Sequence, residues 1–276
     1  MTEGLLQYSG LLTKTRAMHG RLLKREDFEK ILEIPTVYET IVFLREQESY
    51  GKIYGGHEDI QHRGQVEALI HNSILEDYKC LYLFSNQKQR SALALYQKQL
   101  QYGASVPEID TTYFVKTWQS IHKFFTGKMK QVLQEIFGTQ IDWLNIMWMY
   151  RAKCFFHQQP EEITQMLIPV HYRLKKSEFQ QMLDTEKIEE FIHILSNTVY
   201  FKGKEALVKM QDDISYHEVM RKMYQKTCSK YPASMAPIFQ YFYDKEQEIQ
   251  HLTTALEGIR YQVPTKDIRE LVLSTR

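Results

Sequence analysis

Apolar residues recur at spacings of three and four along most of the chain, which is the pattern of amphipathic α-helices. The clearest example lies between Pro237 and Gly258, where one face carries Ile238, Tyr241, Phe242, Ile249, Leu252, Leu256 and the stem of Lys245. Further helices are predicted over residues 5–21, 25–32, 35–44, 65–84, 87–102, 110–126, 128–137, 141–158, 178–183, 186–196, 205–212, 216–230 and 264–273, and from Pro160 onward. No stretch alternates with a period of two for long enough to predict a strand. The pattern therefore predicts an all-α fold.

Helix ends are predicted from glycine and from short polar side chains. Gly138 and Gly258 are expected to stop the helices that precede them, because glycine adopts the left-handed conformation without strain. Ser177 with Gln180 fits a capping box at the start of helix 178–183, and Asp184 or Thr185 would cap the next helix.

Composition fits this fold and narrows the range of partners. The 276 residues include 18 Tyr and 14 Phe but only 12 Gly and 7 Pro, which disfavours turn-rich β architecture. The formal charge of +1 provides no overall field that would attract nucleic acid or anionic lipid. Any partner must therefore be recognised through local complementarity.

The cysteines and the chain start suggest a cytosolic environment. Cys80, Cys154 and Cys228 are odd in number and lie far apart within apolar helical patterns, as buried reduced thiols do. The first residues lack the basic and apolar segments of a signal peptide. The most apolar window, Trp143 to Tyr150, is interrupted by Asn145 and is far shorter than the ~20 residues of a membrane-spanning helix.

No arrangement of residues strongly predicts a cofactor or metal site. The glycine-containing loop 51–64 lacks the Gly-Lys-Ser/Thr ending of a phosphate-binding loop. His57, His62 and His71 lie in one region, but their spacings do not place them on one helical turn, so solvated or capping histidines are favoured over a metal site. We therefore expect no cofactor, metal or small-molecule substrate.

Side-chain pairs that could support catalysis have simpler explanations. Glu161 and Glu162, like Asp212 and Asp213, are adjacent and so point to different helix faces. Cys154 and His157 share a face, but an apolar stretch without a third orienting group favours a buried thiol over a nucleophile.

The aromatic run of helix 141–158 could stack nucleic-acid bases. Core packing, with Arg151 and Lys153 reaching outward, is the alternative that the neutral overall charge favours. The run consists of Trp143, Trp148, Tyr150, Phe155 and Phe156.

An internal repeat relates two parts of the chain. A shift of 151 residues lays 23–45 over 174–196 without a gap, matching Leu23 with Leu174 and Phe28 with Phe179. A weaker match sets Asp142, Asn145 and Tyr150 against Glu248, His251 and Leu256, and chance explains it equally well. Repeated helical units indicate neighbours that bury each other's apolar faces. We expect three related helical domains, at residues 1–104, 105–199 and 200–276, with the first boundary in the Gly- and Pro-containing stretch 103–109.

Short motifs in a consistent order connect the chain to a known family. They are Arg16-Ala17-Met18, Leu22-Leu23, Glu26-Asp27-Phe28, Asp142, Asn145, Tyr150-Arg151-x-Lys153, Leu167-Ile168-Pro169, Thr198-x-Tyr200 and the segment 237–256. With its motifs in this order, the chain resembles the C subunit of the archaeal and bacterial A/V-type rotary ATPases. In eukaryotic V-type enzymes the same family is known as the d subunit. The chain departs from that pattern by being shorter, with compressed connections near residues 103–113.

The resemblance implies a funnel-like, all-helical protein with approximate threefold repetition. Such a protein sits on the cytoplasmic face of the membrane rotor ring and receives the shaft formed by the D and F subunits, so its membrane association is indirect. Its function is mechanical and non-catalytic, and nucleic acid is not among its binding partners. The resemblance singles out Tyr150, Arg151, Lys153 and Glu248 as internal braces or shaft contacts. It leaves open the coupling ion, proton or sodium, and the direction, synthesis or pumping.

Two other interpretations remain from the residues alone. One is a metal-dependent helical enzyme with its site near His57 to His71, and the other is a stand-alone helical scaffold.

Overall fold

The computed structural model describes residues 2–51, 63–102, 111–201 and 214–273. These residues form helices and no strands, so the predicted all-α fold is confirmed. The helices are α1 (Thr2–His19), α2 (Arg25–Glu33), α3 (Val37–Glu46), α4 (Arg63–Leu83), α5 (Gln87–Tyr102), α6 (Thr111–Phe124), α7 (Gly127–Phe156), α8 (Pro160–Met166), α9 (Lys176–Asp184), α10 (Ile188–Ser196), α11 (Ile214–Lys230), α12 (Ala236–Arg260) and α13 (Thr265–Leu273). The predicted helix 205–212 lies outside the described residues.

The chain forms two compact units, and the first consists of Met1–Ser105 with Pro237–Arg276. Helix α12 supplies its central element, because an apolar face at helical spacing is buried against neighbouring helices. Its contacts include Asp244 with His19 of α1, Phe242 stacked on Tyr96 of α5, Tyr241 with Asp77 of α4 and His251 against Phe28 of α2.

The second unit, Val106–Ala236, is built around α7. Helices α6, α8, α10 and α11 all pack on this 30-residue helix. Residues 135–146 are buried without interruption, so the middle of α7 is enclosed on every side. Polar side chains in that stretch must find partners inside the protein.

The predicted three-domain division remains a prediction. A boundary between the two units falls between Ser105 and Val106, and the C-terminal residues 237–276 belong to the same unit as the N-terminal residues.

The two glycines predicted as helix stops lie inside helices, so those predictions were wrong. Helix α7 continues through Gly138, where an added Cβ would collide with the ring and Cβ of Tyr172. Helix α12 continues through Gly258, where an added Cβ would collide with the side chain of Ile268. Both glycines permit close packing of a side chain from elsewhere in their own unit.

Two predicted caps also need correction. Helix α9 begins at Lys176, one residue before Ser177, and its start is held by the Lys175 N–H donating to Glu178. Helix α10 begins at Ile188 after Lys187, so neither Asp184 nor Thr185 caps it. The short polar residues misled the prediction because a Glu three residues into a helix can satisfy the backbone without a serine.

Across the described ranges, no helix combines the length and apolar character needed to cross a membrane.

Candidate functional site

Glu248 of α12 is a fully buried carboxylate that holds together three segments of the first unit. It accepts hydrogen bonds from the backbone N–H of Leu23, from the hydroxyl of Tyr50 at 2.7 Å and from Nζ of Lys245 at 2.7 Å. Lys245 also donates to the Tyr50 hydroxyl at 3.0 Å and lies 4.1 Å from the centroid of its ring. We call these four residues the Glu248 anchor.

The Glu248 anchor balances its charge internally. Lys245 and Glu248 are 1% and 0% exposed, and they stand three residues apart on one face of α12. Removing either partner would leave an uncompensated charge away from water, at high cost. The Glu248 anchor therefore constrains α12, the segment that precedes α2 and the segment after α3 to one arrangement.

Asp142 of α7 has the corresponding position in the second unit, but its partners differ. It accepts backbone N–H groups of Tyr172, Arg173 and Leu174 at 3.0, 2.8 and 3.0 Å, and the hydroxyl of Tyr200 at 2.6 Å. Burial, reinforced by the adjacent carboxylate, raises the pKa of Tyr200, which keeps its hydroxyl protonated as a donor. We call these five residues the Asp142 anchor.

Two further contacts fasten the same segment to α7. Glu135 pairs with Arg173 at 2.6 Å and accepts from the Tyr172 hydroxyl at 3.2 Å. Asn145 forms two hydrogen bonds with the backbone of Ile168, accepting its N–H at 2.8 Å and donating to its C=O at 2.9 Å. The connection between α8 and α9 is thus fixed by side chains of α7.

The two anchors match through the repeat seen in the sequence. Leu23 and Leu174, related by the shift of 151 residues, each donate a backbone N–H to the buried carboxylate. The hydroxyls of Tyr50 and Tyr200, offset by one residue from that shift, bind the same carboxylates. The weaker match of Asp142 with Glu248 therefore corresponds to a shared role.

The following helices also begin alike. The N–H of Lys24 donates to Asp27 at 2.9 Å, and the N–H of Lys175 donates to Glu178 at 3.0 Å. The described residues show this arrangement twice, and the threefold repetition stays a prediction. In the second unit the central helix precedes its partners in the sequence, whereas in the first unit it follows them.

Of the four residues predicted from the family motif, Glu248 and Tyr150 are buried and Lys153 is partly buried. Glu248 forms its anchor, and Tyr150 is buried against Phe191, where burial and a hydrogen bond with Cys154 raise the pKa of Tyr150 to about 12. Lys153 donates to the C=O groups of Leu183 and Thr185 at 2.7 and 2.6 Å, which satisfies the C-terminal end of α9.

Arg151 differs from those three because its side chain is exposed on α7. The structure therefore gives this arginine the solvent route that an apolar helix requires. Tyr150, Arg151 and Lys153 belong to the second compact unit and Glu248 to the first.

Sequence reasoning missed Lys245 and Tyr50 as polar partners. Lys245 was expected to bury only its stem, yet its ammonium group is also buried. The available signal was its position three residues before Glu248 on an otherwise apolar helix face, where a Lys–Glu pair can form. Tyr50 had no local signal, because its partner lies 198 residues away.

The predicted aromatic core of α7 is only partly correct. Trp143 and Tyr150 are buried, but Phe155 and Phe156 are 62% and 71% exposed at the end of the helix. The helix ends at Phe156, and His157 has a left-handed φ of 48°. Cys154 and His157 therefore do not share a continuous helical face. The three cysteines are partly buried free thiols.

The predicted histidine region falls only partly within the described residues. His57 and His62 lie outside them, as do Asp212 and Asp213. Burial lowers the pKa of His71 on α4. Among the described residues, no group of three His, Cys, Asp or Glu side chains is arranged to hold a metal ion.

Comparison with known proteins points to one family. The model of the family described as "ATP synthase (C/AC39) subunit" matches residues 11–103 and 107–271. The C subunit of the A-type ATP synthase of Archaeoglobus fulgidus is 31% identical over 140 residues, which represent 49% of this chain. The aligned part spans 40% of that relative's length.

Proposed function

Because the chain belongs to the ATP synthase (C/AC39) subunit family, we propose that it is a non-catalytic coupling subunit of an A/V-type rotary ATP synthase. The observation that supports this most strongly is the extent of the family match, which runs from residue 11 to residue 271 with one short gap. The protein would join the central shaft, made of the D and F subunits, to the membrane rotor ring on its cytoplasmic face. It would transmit torque between them and make or break no covalent bond.

Torque transmission requires helices that resist sliding past one another. Each compact unit contains a central helix whose buried carboxylate holds a distant backbone N–H and a tyrosine hydroxyl. Hydrogen bonds to a buried charge are about twice as strong as neutral ones and are directional, so they oppose such sliding. We propose that Glu248, Tyr150 and Lys153 act as internal braces.

Arg151 is the motif residue that can reach a partner, because it is exposed. We propose that it contacts the shaft, where an arginine can form a bidentate pair with a carboxylate.

Binding of the purified chain to a D–F complex and to a purified rotor ring tests the proposed function. We expect the chain to bind each one and all three to form a ternary complex. Failure to bind either one would contradict it.

A single substitution tests the Arg151 contact within that assay. Arg151→Ala should weaken shaft binding about tenfold, a typical loss for an interface arginine, without lowering the melting temperature. The control is Arg221→Ala, which removes an exposed arginine from α11 of the same unit and should leave binding unchanged. Equal losses for both variants would remove Arg151 from the shaft interface.

A further inference from the structure

One end of the second unit carries a concentrated positive charge. The end of α6, the start of α7 and the end of α11 meet there: Lys130 reaches the His122 carbonyl at 3.4 Å, and the Tyr231 hydroxyl donates to Gln131 at 3.1 Å. We name this surface the basic tip; it consists of Lys123, Phe124, Lys128, Lys130 and Lys230.

The sequence segments that form the basic tip contain no acidic residue. Neither residues 111–134 nor residues 219–243 contain an Asp or Glu. Elsewhere in the unit the charges are mixed, since α8, α9 and α10 each have acidic residues in the first turn. Although the chain has a formal charge of only +1, several of its lysines are therefore concentrated at the basic tip.

Two of the lysines oppose a local rule. Lys128 and Lys130 lie at the N-terminal end of α7, where the helix dipole is positive and acidic residues are preferred. Thr126, the preceding cap residue, makes no side-chain hydrogen bond to the helix. An external anion would relieve both features. A local rule broken without an internal compensation is typical of a functional surface.

An apolar side chain stands among these charges. Phe124 ends α6 and is 68% exposed, and Nζ of Lys123 lies 5.2 Å from its ring centroid. The next residue, Phe125, points into the core and is 8% exposed. Phe124 therefore projects from a fixed turn instead of from a free chain end.

We propose that the basic tip binds the anionic surface of a lipid bilayer. Clustered lysines are attracted to lipid phosphates, and an exposed phenylalanine can enter the boundary between headgroups and acyl chains. Every cation of the tip is a lysine, whose compact and strongly hydrated charge suits mobile headgroups. Specific recognition of nucleic acid or of an acidic peptide favours arginine. This inference rests on these residues alone and does not depend on the proposed rotary function.

Co-sedimentation of the full chain with vesicles tests the proposal. One set of vesicles contains phosphatidylcholine alone and the other a mixture of phosphatidylcholine and phosphatidylglycerol. We expect binding to the mixed vesicles only, with affinity falling as salt increases because the surface charge is screened. Equal binding to both sets, or to neither, would overturn the proposal.

Variants locate the binding surface. Lys123→Gln/Lys128→Gln/Lys130→Gln should reduce affinity at least tenfold, given roughly fivefold per lysine near a charged membrane. The control, Lys175→Gln/Lys176→Gln/Lys187→Gln, removes the same charge from the starts of α9 and α10 in the same unit and should bind within about twofold of the parent. Equal losses would show that only net charge matters and would contradict a specific tip.

Phe124→Ala separates insertion from electrostatics. It should weaken vesicle binding about tenfold, as expected for one lost phenylalanine anchor, with an unchanged salt dependence. The triple variant Lys123→Gln/Lys128→Gln/Lys130→Gln should melt at the same temperature as the parent or higher, because it removes unfavourable charges from the start of α7. If polyglutamate or RNA binds through the tip while mixed vesicles do not, the bilayer assignment is wrong.

Discussion

The two compact units place a buried carboxylate at matching positions and satisfy it in different ways. In the first unit, Glu248 is neutralised by Lys245, an ammonium group 2.7 Å away on the same helix. In the second unit, Asp142 has Thr139 at the matching position and depends on three backbone N–H groups and a hydroxyl. One anchor thus balances charge with charge, and the other with peptide and hydroxyl dipoles.

This difference shows that the two units share a buried carboxylate in the same geometry. The groups that stabilise its negative charge differ, because one unit uses an ammonium group and the other uses backbone N–H groups and a hydroxyl. It also predicts that single substitutions will destabilise the first anchor more than the second. Loss of either charge from an anchor with a buried lysine should lower the free energy of unfolding strongly. Loss of one donor from an anchor built from several neutral donors should lower it by a smaller amount.

The largest expected effect comes from Lys245→Met, which leaves the Glu248 carboxylate buried without its cation. The free energy of unfolding should fall by about 3–5 kcal/mol. Thr139→Val, the change at the matching position of the second unit, should cost about 1 kcal/mol or less because it removes a single neutral hydroxyl. Chemical denaturation provides both values.

A double variant distinguishes lost charge balance from lost packing. Lys245→Met/Glu248→Gln removes both charges and should be more stable than Lys245→Met alone. If the double variant is less stable than the single one, charge imbalance is not the cause of the loss.

The tyrosines of the two anchors provide the next comparison. Tyr200→Phe removes one hydrogen bond to a carboxylate and should cost about 1.5–2 kcal/mol, whereas Tyr50→Phe also deprives Lys245 of an acceptor and should cost about 2–3 kcal/mol. Amide hydrogen exchange at Leu174 and Leu23 should increase in the affected unit alone. Equal losses of stability for the two variants, or faster exchange at both leucines in one variant, would contradict the independence of the two anchors.

The two helix glycines should also differ. Gly138→Ala forces an added Cβ against the ring and Cβ of Tyr172, with a destabilisation of about 1–3 kcal/mol from overpacking. Gly258→Ala meets mainly the flexible end of Ile268, and a helix gain of about 1 kcal/mol offsets that contact. Thermal unfolding should therefore rank Gly138→Ala well below the parent and Gly258→Ala close to it. The reverse order would show that the ring of Tyr172 moves more easily than the Ile268 side chain.

The smallest effect concerns a contact found in the first unit, where Asp244 stands at the position that Gly138 occupies in the second. A hydrogen bond from His19 to Asp244 at 2.8 Å raises the pKa of His19 above its usual 6.5. The protonated ring therefore favours the folded state. Its contribution is complete below pH 6.5 and is lost as pH rises through the raised folded pKa.

The variant His19→Gln tests that contribution. Because His19 is about half exposed, the expected loss is only about 0.5 kcal/mol at pH 5.5 and close to zero at pH 9. Denaturation of the parent and the variant at both pH values measures it. A loss that is larger at pH 9 would contradict the sign of the linkage.

Periodicity predicted most helices because their apolar faces are local features of the sequence. It failed at Gly138 and Gly258, since the Tyr172 and Ile268 side chains that pack closely against these glycines come from other segments. The buried carboxylates were visible as family motif residues, as were the donors Leu23 and Tyr200, but no motif showed which donor binds which carboxylate. Tyr50 and Leu23 are 198 and 225 residues from Glu248, and no local pattern links such positions. The basic tip was likewise hidden by a net charge near zero.

We propose a coupling role for this chain within a rotary ATP synthase. Its most direct test is to purify the tagged chain from its own membranes in mild detergent and identify the proteins that accompany it. We expect recovery of the D and F shaft proteins together with the membrane rotor protein. Recovery of the chain alone would contradict it.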